Sequence, residues 1–261
     1  WSIQPRRFIM ATHFKGPILF SAQRPALENL NIARWNDQFI QFDDYDHGAI
    51  DETLRWVIVK DSGASVAIVA DARSGEVNLN STATTENDGA SLQGHEEYFS
   101  LPSTAGNKLY YETRIKTSDV DQMDILVGLT ETFTTNPENA LLSANIIGFL
   151  LADGSAVISG VTEASGTPTT VTLDTSLSTL TNDTYVTLGF VATKGDTSAN
   201  DKVDFFINRK FAGTSKTNIP TANMKLMVMS LSGDATGTKV TTLDYMMGAQ
   251  DRDVTYADGP A

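Results

Sequence analysis

The stretch KVDFFINRKFAGTS, residues 202–215, contains the pattern that decides the fold. Residues 203–207 place an apolar side chain at every second position, as expected of a β-strand with one buried face. The polar pair Asn208 and Arg209 interrupts this alternation before the chain becomes apolar again at Phe211. We therefore predict two strands joined by a two-residue turn, in which Arg209 stands where glycine would be expected.

Short alternating segments of the same kind recur on the N-terminal side of this hairpin. They are separated by turn-forming residues at short, regular intervals, which is typical of antiparallel β-structure. The first three read LRWVIVK (54–60), SVAIVA (65–70) and GEVNLNS (75–81).

The segment KLYYETRIKT, residues 108–117, is the most regular of these strands. Its alternation predicts one buried face and one wet face. The buried face would carry Leu109, Tyr111, Thr113 and Ile115. The wet face would carry Tyr110, Glu112, Arg114 and Lys116.

The chain has about twelve such strands and almost no helical pattern, and both observations bear on the fold class. The one helix-like window is PENALLSA at residues 137–144. Parallel sheets need crossover helices between their strands, so their absence from the pattern favours antiparallel sheets. We predict an all-β fold, a jelly-roll sandwich of two antiparallel sheets.

Composition narrows the classes of function. The 261 residues include no cysteine, which excludes disulfides and thiolate chemistry. The formal net charge of −13 opposes a general nucleic-acid-binding surface, since phosphate groups would be repelled. No apolar stretch approaches the roughly 20 residues that span a bilayer. We predict neither a nucleic-acid partner nor a membrane partner.

Charge and proline divide the chain into three parts. Residues 1–34 hold five basic residues and one acidic residue, a net charge of +4, so that the rest of the chain carries −17. Residues 1–34 also contain three prolines and show no sustained helical or strand periodicity. We predict a basic extended arm at 1–40, a sandwich domain at 41–249 and a tail at 250–261. The arm would pack on its own sandwich or on a neighbouring subunit, and the sequence leaves both open.

Four segments in a fixed order carry a resemblance to a known group of proteins. They are FDD (42–44), WVIVKDSGASVAIVADARSGEVNLNS (56–81), LYYETRIKTSDVDQMDILVGLTE (109–131) and VDFFINRKFAGTS (203–215). Together they resemble structural proteins of tailed bacteriophages whose domains are concanavalin A-like or laminin-G-like sandwiches. Similar proteins decorate or cement phage heads. The resemblance implies a concanavalin A-like sandwich and a structural role in the virion.

On this basis we predict a capsid decoration protein, or cement protein, that binds the outer face of the major capsid protein shell and stabilises the head. It would be located on the virion, at the capsid surface, as a dimer or trimer. Basic side chains of the arm would pair with shell carboxylates and its aromatic rings would fill apolar pockets. The predicted contact residues are Arg6, Arg7, Phe8, Phe14, Lys15, Phe20, Arg24 and Arg34.

The alternative is a carbohydrate-binding or receptor-binding module of a phage tail fibre or tailspike. Sandwiches of this type often hold sugars with exposed aromatic rings. The candidate rings are Trp35, Trp56, Tyr98, Tyr110 and Tyr111. Two of them, Trp56 and Tyr111, fall on predicted core faces, which weakens this alternative.

Motifs for catalysis and metal binding are sparse. The sequence contains no G-x-S-x-G elbow, H-E-x-x-H helix or phosphate-binding glycine loop, and no E-x-D-x-x-E arrangement of glycosidase type. We therefore predict that the chain is not an enzyme and needs no cofactor. A weak calcium candidate lies in DDYDHGAID (43–51), where the alternative is a turn whose aspartates cap backbone amides. Its oxygen ligands would come from Asp43, Asp44, Asp46 and Asp51.

Overall fold

The computed structural model describes residues 38–253, except 47, 71, 73–74, 82–84 and 135–144. Two antiparallel sheets pack face to face in these residues. The predicted all-β class and two-sheet sandwich are therefore confirmed. Residues 1–37 and the helix-like window at 137–144 lie outside the described residues, and the division into arm, sandwich and tail stays a prediction.

Sheet A contains eight strands, and every pairing in it is antiparallel. One strand pairs with residues 246–251 at the end of β15 (Val240–Asp251), whereas residues 240–243 of β15 pair with β4 (Val77–Asn80). This strand is β1 (Gln38–Asp43). The others, in spatial order, are β13 (Lys210–Ser215), β12 (Lys202–Ile207), β11 (Val186–Thr193), β6 (Lys108–Thr117), β15 (Val240–Asp251), β4 (Val77–Asn80) and β3 (Ser65–Ile68).

Sheet B contains seven strands, again paired in antiparallel fashion. Its central strands, β7 (Met123–Thr130) and β14 (Lys225–Ser232), are mostly apolar, because both of their faces are buried. In spatial order the strands are β10 (Thr167–Val171), β9 (Ser159–Ala164), β8 (Ile146–Leu151), β7 (Met123–Thr130), β14 (Lys225–Ser232), β5 (Gly89–Gly94) and β2 (Trp56–Lys60).

Helical structure is confined to two short segments of the described chain. The helix α1 (Thr175–Ser178) begins at Asp174, whose carboxylate accepts a hydrogen bond from the Ser176 N–H at 2.9 Å. A 3-10 turn follows at Ser198–Asn200. No described helix is long and apolar enough to cross a membrane.

The main core lies between the sheets and is centred on aromatic rings. Phe149 of sheet B meets Phe205 of sheet A edge to face, with ring centroids 5.3 Å apart. Phe190 extends the cluster from Phe205 to Tyr111, on which it stacks at 5.3 Å. Burial of each such side chain stabilises the fold by about 1.5–3 kcal/mol. The inner faces therefore hold the sheets together and leave the two outer faces for other roles.

The hairpin between β12 and β13 has the predicted two-residue turn. Ile207 pairs with Lys210, and the residues between them, Asn208 and Arg209, have φ angles of 48° and 65°. Two positive φ angles at the centre define the type I′ turn, whose twist matches that of the flanking strands. The prediction of a tight reversal is confirmed, including the placement of an arginine where glycine is preferred.

Candidate functional site

A polar cluster lies on the outer face of sheet A, the face directed away from sheet B. The sequence predicted this face of β6 to be wet, and that prediction is wrong for two residues. Glu112 is only 1% exposed and Tyr110 only 2%. Glu112 is covered because Tyr245 from β15 and Arg209 from the β12–β13 turn converge on it. We call Glu112, Arg209 and Tyr245 the Glu112 cluster.

The geometry of the Glu112 cluster leaves polar atoms unused. The Tyr245 hydroxyl donates to Oε1 of Glu112 at 2.6 Å, and Nη2 of Arg209 lies 4.0 Å from the same oxygen. Burial, together with the negative charge of Glu112, raises the pKa of Tyr245 well above its ordinary value. Oε2 of Glu112 and Nε of Arg209 are buried and have no hydrogen-bond partner among the described residues. Buried polar atoms of this kind are free to contact a water molecule or a ligand.

Backbone strain points to the same residue. Arg209 has a φ of 65°, a conformation that costs a non-glycine residue about 1–2 kcal/mol. Strain of this kind is concentrated at functional sites, where a side chain is needed despite its backbone cost. Here the turn directs a guanidinium group toward a buried carboxylate, which glycine could not do.

Aromatic rings flank the Glu112 cluster along one line across sheet A. Paired residues of neighbouring strands point to the same face, and strands are about 4.8 Å apart, so six strands span about 24 Å. From β13 to β1 the line reads Phe211, Phe206, Gly189, Glu112, Met247 and Phe42. We call it the aromatic row.

The two ends of the aromatic row are open to solvent. Phe211 is 58% exposed and Phe42 is 52% exposed. Phe211 packs edge to face on Phe206 with centroids 6.0 Å apart, and Phe42 lies 6.2 Å from the Tyr245 ring. Between Phe206 and Glu112, glycine contributes no side chain. The row therefore presents apolar rings on both sides of a buried, charged centre.

A second group of charged and aromatic side chains borders the aromatic row. Arg114 pairs with Asp244 at 2.5 Å, and its guanidinium carbon lies 3.9 Å from the centre of the Tyr185 ring. The Tyr185 hydroxyl in turn donates to Glu76 at 2.5 Å. Burial is the main cause that raises the pKa of Tyr185 above its ordinary value. These contacts fix the positions of the side chains beside the Glu112 cluster.

Two of the four aspartates considered for calcium, Asp43 and Asp51, serve other contacts. Oδ2 of Asp43 accepts a hydrogen bond from the Trp56 indole at 2.8 Å, which ties β1 of sheet A to β2 of sheet B. Its other oxygen accepts from the Tyr45 N–H at 2.9 Å, and Asp51 accepts from the Thr53 N–H at 3.0 Å. The described residues contain no group of three or more acidic or histidine side chains that could hold a metal ion. The arrangement favours the alternative of turn-capping aspartates.

The other predicted residues divide into three sets. The arm residues proposed to contact a capsid, together with Trp35, lie outside the described residues. Trp56 and Tyr111 are in the core, as predicted, and Tyr110 is buried on the outer face. Tyr98 is exposed and lies beside Phe39. The sequence reasoning missed the aromatic row and the Glu112 cluster, although an arginine at a glycine position of the turn was a signal for Arg209.

The sandwich is similar to several solved structures. One is an endo-1,3-β-glucanase from Streptomyces sioyaensis, with a TM-score of 0.56 and 12% identity over 83% of this chain and 98% of that one. A protein of unknown function from Shewanella oneidensis MR-1 has a TM-score of 0.57 and 16% identity over 85% and 90%. The metal-free carbohydrate recognition domain of Emp46p has a TM-score of 0.50 and 12% identity over 77% and 89%. At these identities the similarity shows the fold alone, a concanavalin A-like sandwich.

These matches overturn one prediction from the sequence. We predicted that the chain is not an enzyme, yet other similar structures are glycoside hydrolases, among them a lichenase and a Bacillus licheniformis β-glucanase. The fold is therefore one that carries hydrolytic sites in other proteins. A motif of fixed spacing cannot reveal a carboxylate such as Glu112, because its environment comes from distant parts of the chain. No family model and no curated protein matches the sequence, and the virion part of the resemblance has no support in these matches.

Proposed function

We propose that the chain is a carbohydrate-binding sandwich and that its binding surface is the aromatic row with the Glu112 cluster at its centre. One observation carries this proposal. A buried carboxylate and a strained arginine retain unused hydrogen-bonding atoms between exposed aromatic rings. The fold, which carbohydrate-recognising and carbohydrate-cleaving proteins also use, is consistent with it.

The chemistry of the surface suits a saccharide. Sugar rings combine apolar C–H faces, which stack on aromatic side chains, with hydroxyl groups, which both donate and accept hydrogen bonds. Oε2 of Glu112 would accept from a hydroxyl and Nε of Arg209 would donate to one, once the Arg209 side chain, 27% exposed, turns aside. The row is about 24 Å long, so its ligand would be an oligosaccharide rather than a single sugar.

Titration calorimetry of the full chain against a panel of soluble oligosaccharides tests the proposal. The variants Phe42→Ser and Phe211→Ser should each weaken binding about threefold to tenfold, because each removes one stacking ring. Glu112→Gln should weaken it about tenfold or more, because it replaces a charged acceptor with a neutral amide. Tyr98→Ser is the matched control, since this exposed ring lies on the loop between β5 and β6, away from the row.

Two results would contradict the proposal: no saccharide in the panel binds, or binding survives all three substitutions in the row. The release of reducing ends should be followed in the same samples. Release that disappears in Glu112→Gln while binding is only weakened would extend the role of Glu112 from binding to hydrolysis.

A second candidate function is decoration of a phage capsid. It is favoured by the charge division, with +4 in residues 1–34 against −17 in the rest, and by the resemblance to virion proteins. The major capsid protein as partner, the capsid surface as location and the dimer or trimer all remain predictions. Purified heads mixed with the full chain and with a chain lacking residues 1–34 would test this role. If the shorter chain binds the heads as fully as the full chain does, the result would contradict attachment through the arm.

A further inference from the structure

The outer face of sheet B, directed away from sheet A, is apolar and almost completely buried. We call its apolar residues the sheet B patch. They come from β7, β8, β9 and β14 and from the loop after β7, and Leu150 packs at their margin. The members are Leu126, Phe133, Ile146, Val161, Met227, Met229 and Leu231. Six of these seven side chains are exposed by 1% or less, and Phe133 by 8%.

The patch surrounds a trough with a glycine floor. Gly128 of β7 pairs with Gly148 of β8, and neither contributes a side chain to the outer face. A Cβ at either position would come within 2.3 Å of a carbonyl oxygen of the neighbouring strand, so both must be glycine. Met227 and Val161 stand on the two sides of this pair in the strand register.

The burial of the patch needs a cover that the described elements do not provide. Sheet A packs on the opposite, inner face, and α1 contributes Leu177 to the main core. On sheet A the small outer cluster around Tyr110 has its own partly exposed covering side chains, Ile40 and Phe206. The sheet B patch has only Leu150 in that role among the described residues. The apolar contacts of the described residues therefore leave the patch as a docking surface for a further segment.

We propose that the leader, residues 1–37, docks on the sheet B patch of its own chain. It is the longest stretch outside the described residues, and its large apolar side chains include Phe8, Phe14 and Phe20. Fully extended, 37 residues reach about 120 Å, whereas the seven strands of sheet B span about 29 Å. The leader is therefore long enough to cross the whole face and to place a ring in the glycine trough.

The point at which the leader joins the sandwich supports this path. Phe39, the second residue of β1, packs on the ring of Phe99 with centroids 5.3 Å apart. The Phe99 N–H donates to the Met224 carbonyl at 2.9 Å, and Met224 immediately precedes β14. The leader thus ends beside the strand that carries Met227 and Met229 of the patch.

Charge complements the apolar contact. The first 34 residues have a net charge of +4, and acidic side chains border the patch. Asp124 and Glu163 occupy outward positions of β7 and β9. At one end of the face the loop residues Glu97 and Glu131 outnumber Lys225, the basic residue at the start of β14. Burial raises the pKa of Asp124 above its ordinary value, which a basic partner would counteract. A basic, aromatic peptide is the occupant that this face fits.

Methionine oxidation in the full chain tests the proposal, because sulfoxide formation by peroxide requires access to the sulfur. In the native protein Met227 and Met229 should oxidise as slowly as the core residues Met123 and Met246. In the full-chain variant Phe8→Ser/Phe14→Ser/Phe20→Ser they should oxidise at least about tenfold faster, while the two core residues stay slow. The control variant Phe211→Ser should leave all four rates unchanged. Peptide mass spectrometry reads each methionine separately.

A photo-crosslinking residue at position 14, in a mixture of light and isotope-labelled full chains, identifies the occupant directly. The expected product joins position 14 to the β14 segment within one chain. Links between light and heavy chains would assign the face to a second copy and overturn the proposal. Unchanged oxidation of Met227 and Met229 in the triple variant would also overturn it, and would leave residues 135–144 or an external partner as the cover.

Discussion

The two outer faces of this sandwich are made from the same kind of alternating strand, yet their outward positions carry different chemistry. Sheet A presents exposed rings and the buried charges of the Glu112 cluster. Sheet B presents methionine, leucine, isoleucine and valine around a pair of glycines, all buried. One face keeps polar atoms that lack partners among the described residues, and the other keeps almost no polar atoms at its centre. The first is suited to a soluble polar ligand and the second to a permanent apolar contact.

This difference also separates the two proposals. A saccharide bound on sheet A and the leader bound on sheet B occupy opposite sides of the molecule, so each can be disrupted alone. A leader held on its own sandwich would also be less available for a capsid shell. The substitutions below measure how far the two faces differ, beginning with the largest expected effect.

The largest effect should come from the glycine floor of sheet B. In Gly148→Val the new Cβ would lie 2.3 Å from the carbonyl oxygen of Val127, and backbone atoms cannot move aside as a side chain can. We expect a loss of about 3 kcal/mol or more in the free energy of unfolding. Urea denaturation measures it. Gly48→Ala is the control, because nothing lies within 4 Å of its added Cβ, and it should change stability by less than about 0.5 kcal/mol.

A direct comparison of the faces follows from truncating one large side chain on each. Met229→Ala on sheet B removes a completely buried side chain and should cost about 2–4 kcal/mol. Phe211→Ala on sheet A removes a ring that is 58% exposed and should cost less than about 1 kcal/mol. Equal losses of stability in urea denaturation would mean that the outer face of sheet A is packed as tightly as that of sheet B.

A double-mutant cycle isolates the electrostatic role of sheet A. Arg209→Gly alone relieves the strained turn but leaves Glu112 without its cation, so we expect a net loss of about 1 kcal/mol. In a Glu112→Leu background the same change should instead stabilise by up to about 1 kcal/mol, because only the strain relief remains. Thermal or urea unfolding of the four proteins shows whether Arg209→Gly raises or lowers the free energy of unfolding in each background. An Arg209→Gly effect that is identical in both backgrounds would mean that the arginine does not serve the carboxylate.

The smallest effect concerns the residues just beyond β15, the strand that carries Tyr245 and Met247. Burial raises the pKa of Asp253, but hydrogen bonds from Ser103 and Thr104 outweigh it and lower the value to about 2. A lowered pKa stabilises the fold above the ordinary pKa of about 3.9, and this contribution is lost as the pH falls toward 2. Asp253→Asn should therefore flatten the loss of stability between pH 4 and pH 2 by less than about 1 kcal/mol, since solvent screens the group. If Asp253→Asn leaves the pH profile of stability unaltered, the hydrogen bonds from Ser103 and Thr104 to Asp253 do not stabilise the fold.

Much of the fold followed from periodicity. The alternation in residues 108–117 placed Leu109, Tyr111 and Ile115 inside, and residues 202–215 gave a hairpin with its turn at the observed position. The same alternation predicted that Tyr110 and Glu112 are exposed to solvent, and this prediction was wrong because both are buried. Period two determines the side of a sheet on which a residue lies, but not whether that side is covered.

The candidate site was beyond the reach of local patterns. Glu112 lies 97 residues before Arg209 in the chain and 133 residues before Tyr245. No motif of fixed spacing joins them, since the strand order of sheet A and the direction of one turn bring them together. The same holds for Phe211 and Phe42, which occupy one row only because four strands lie between theirs.

The sequence by itself determined the all-β class, the two-sheet sandwich and the position of its best hairpin, because these depend on alternation and turn chemistry between near neighbours. Only the tertiary structure decided which outward faces are buried, which carboxylate loses its water and which rings share a row. Those properties arise from pairings between strands far apart in the chain, and burial depends on everything that packs around a residue rather than on the residue itself.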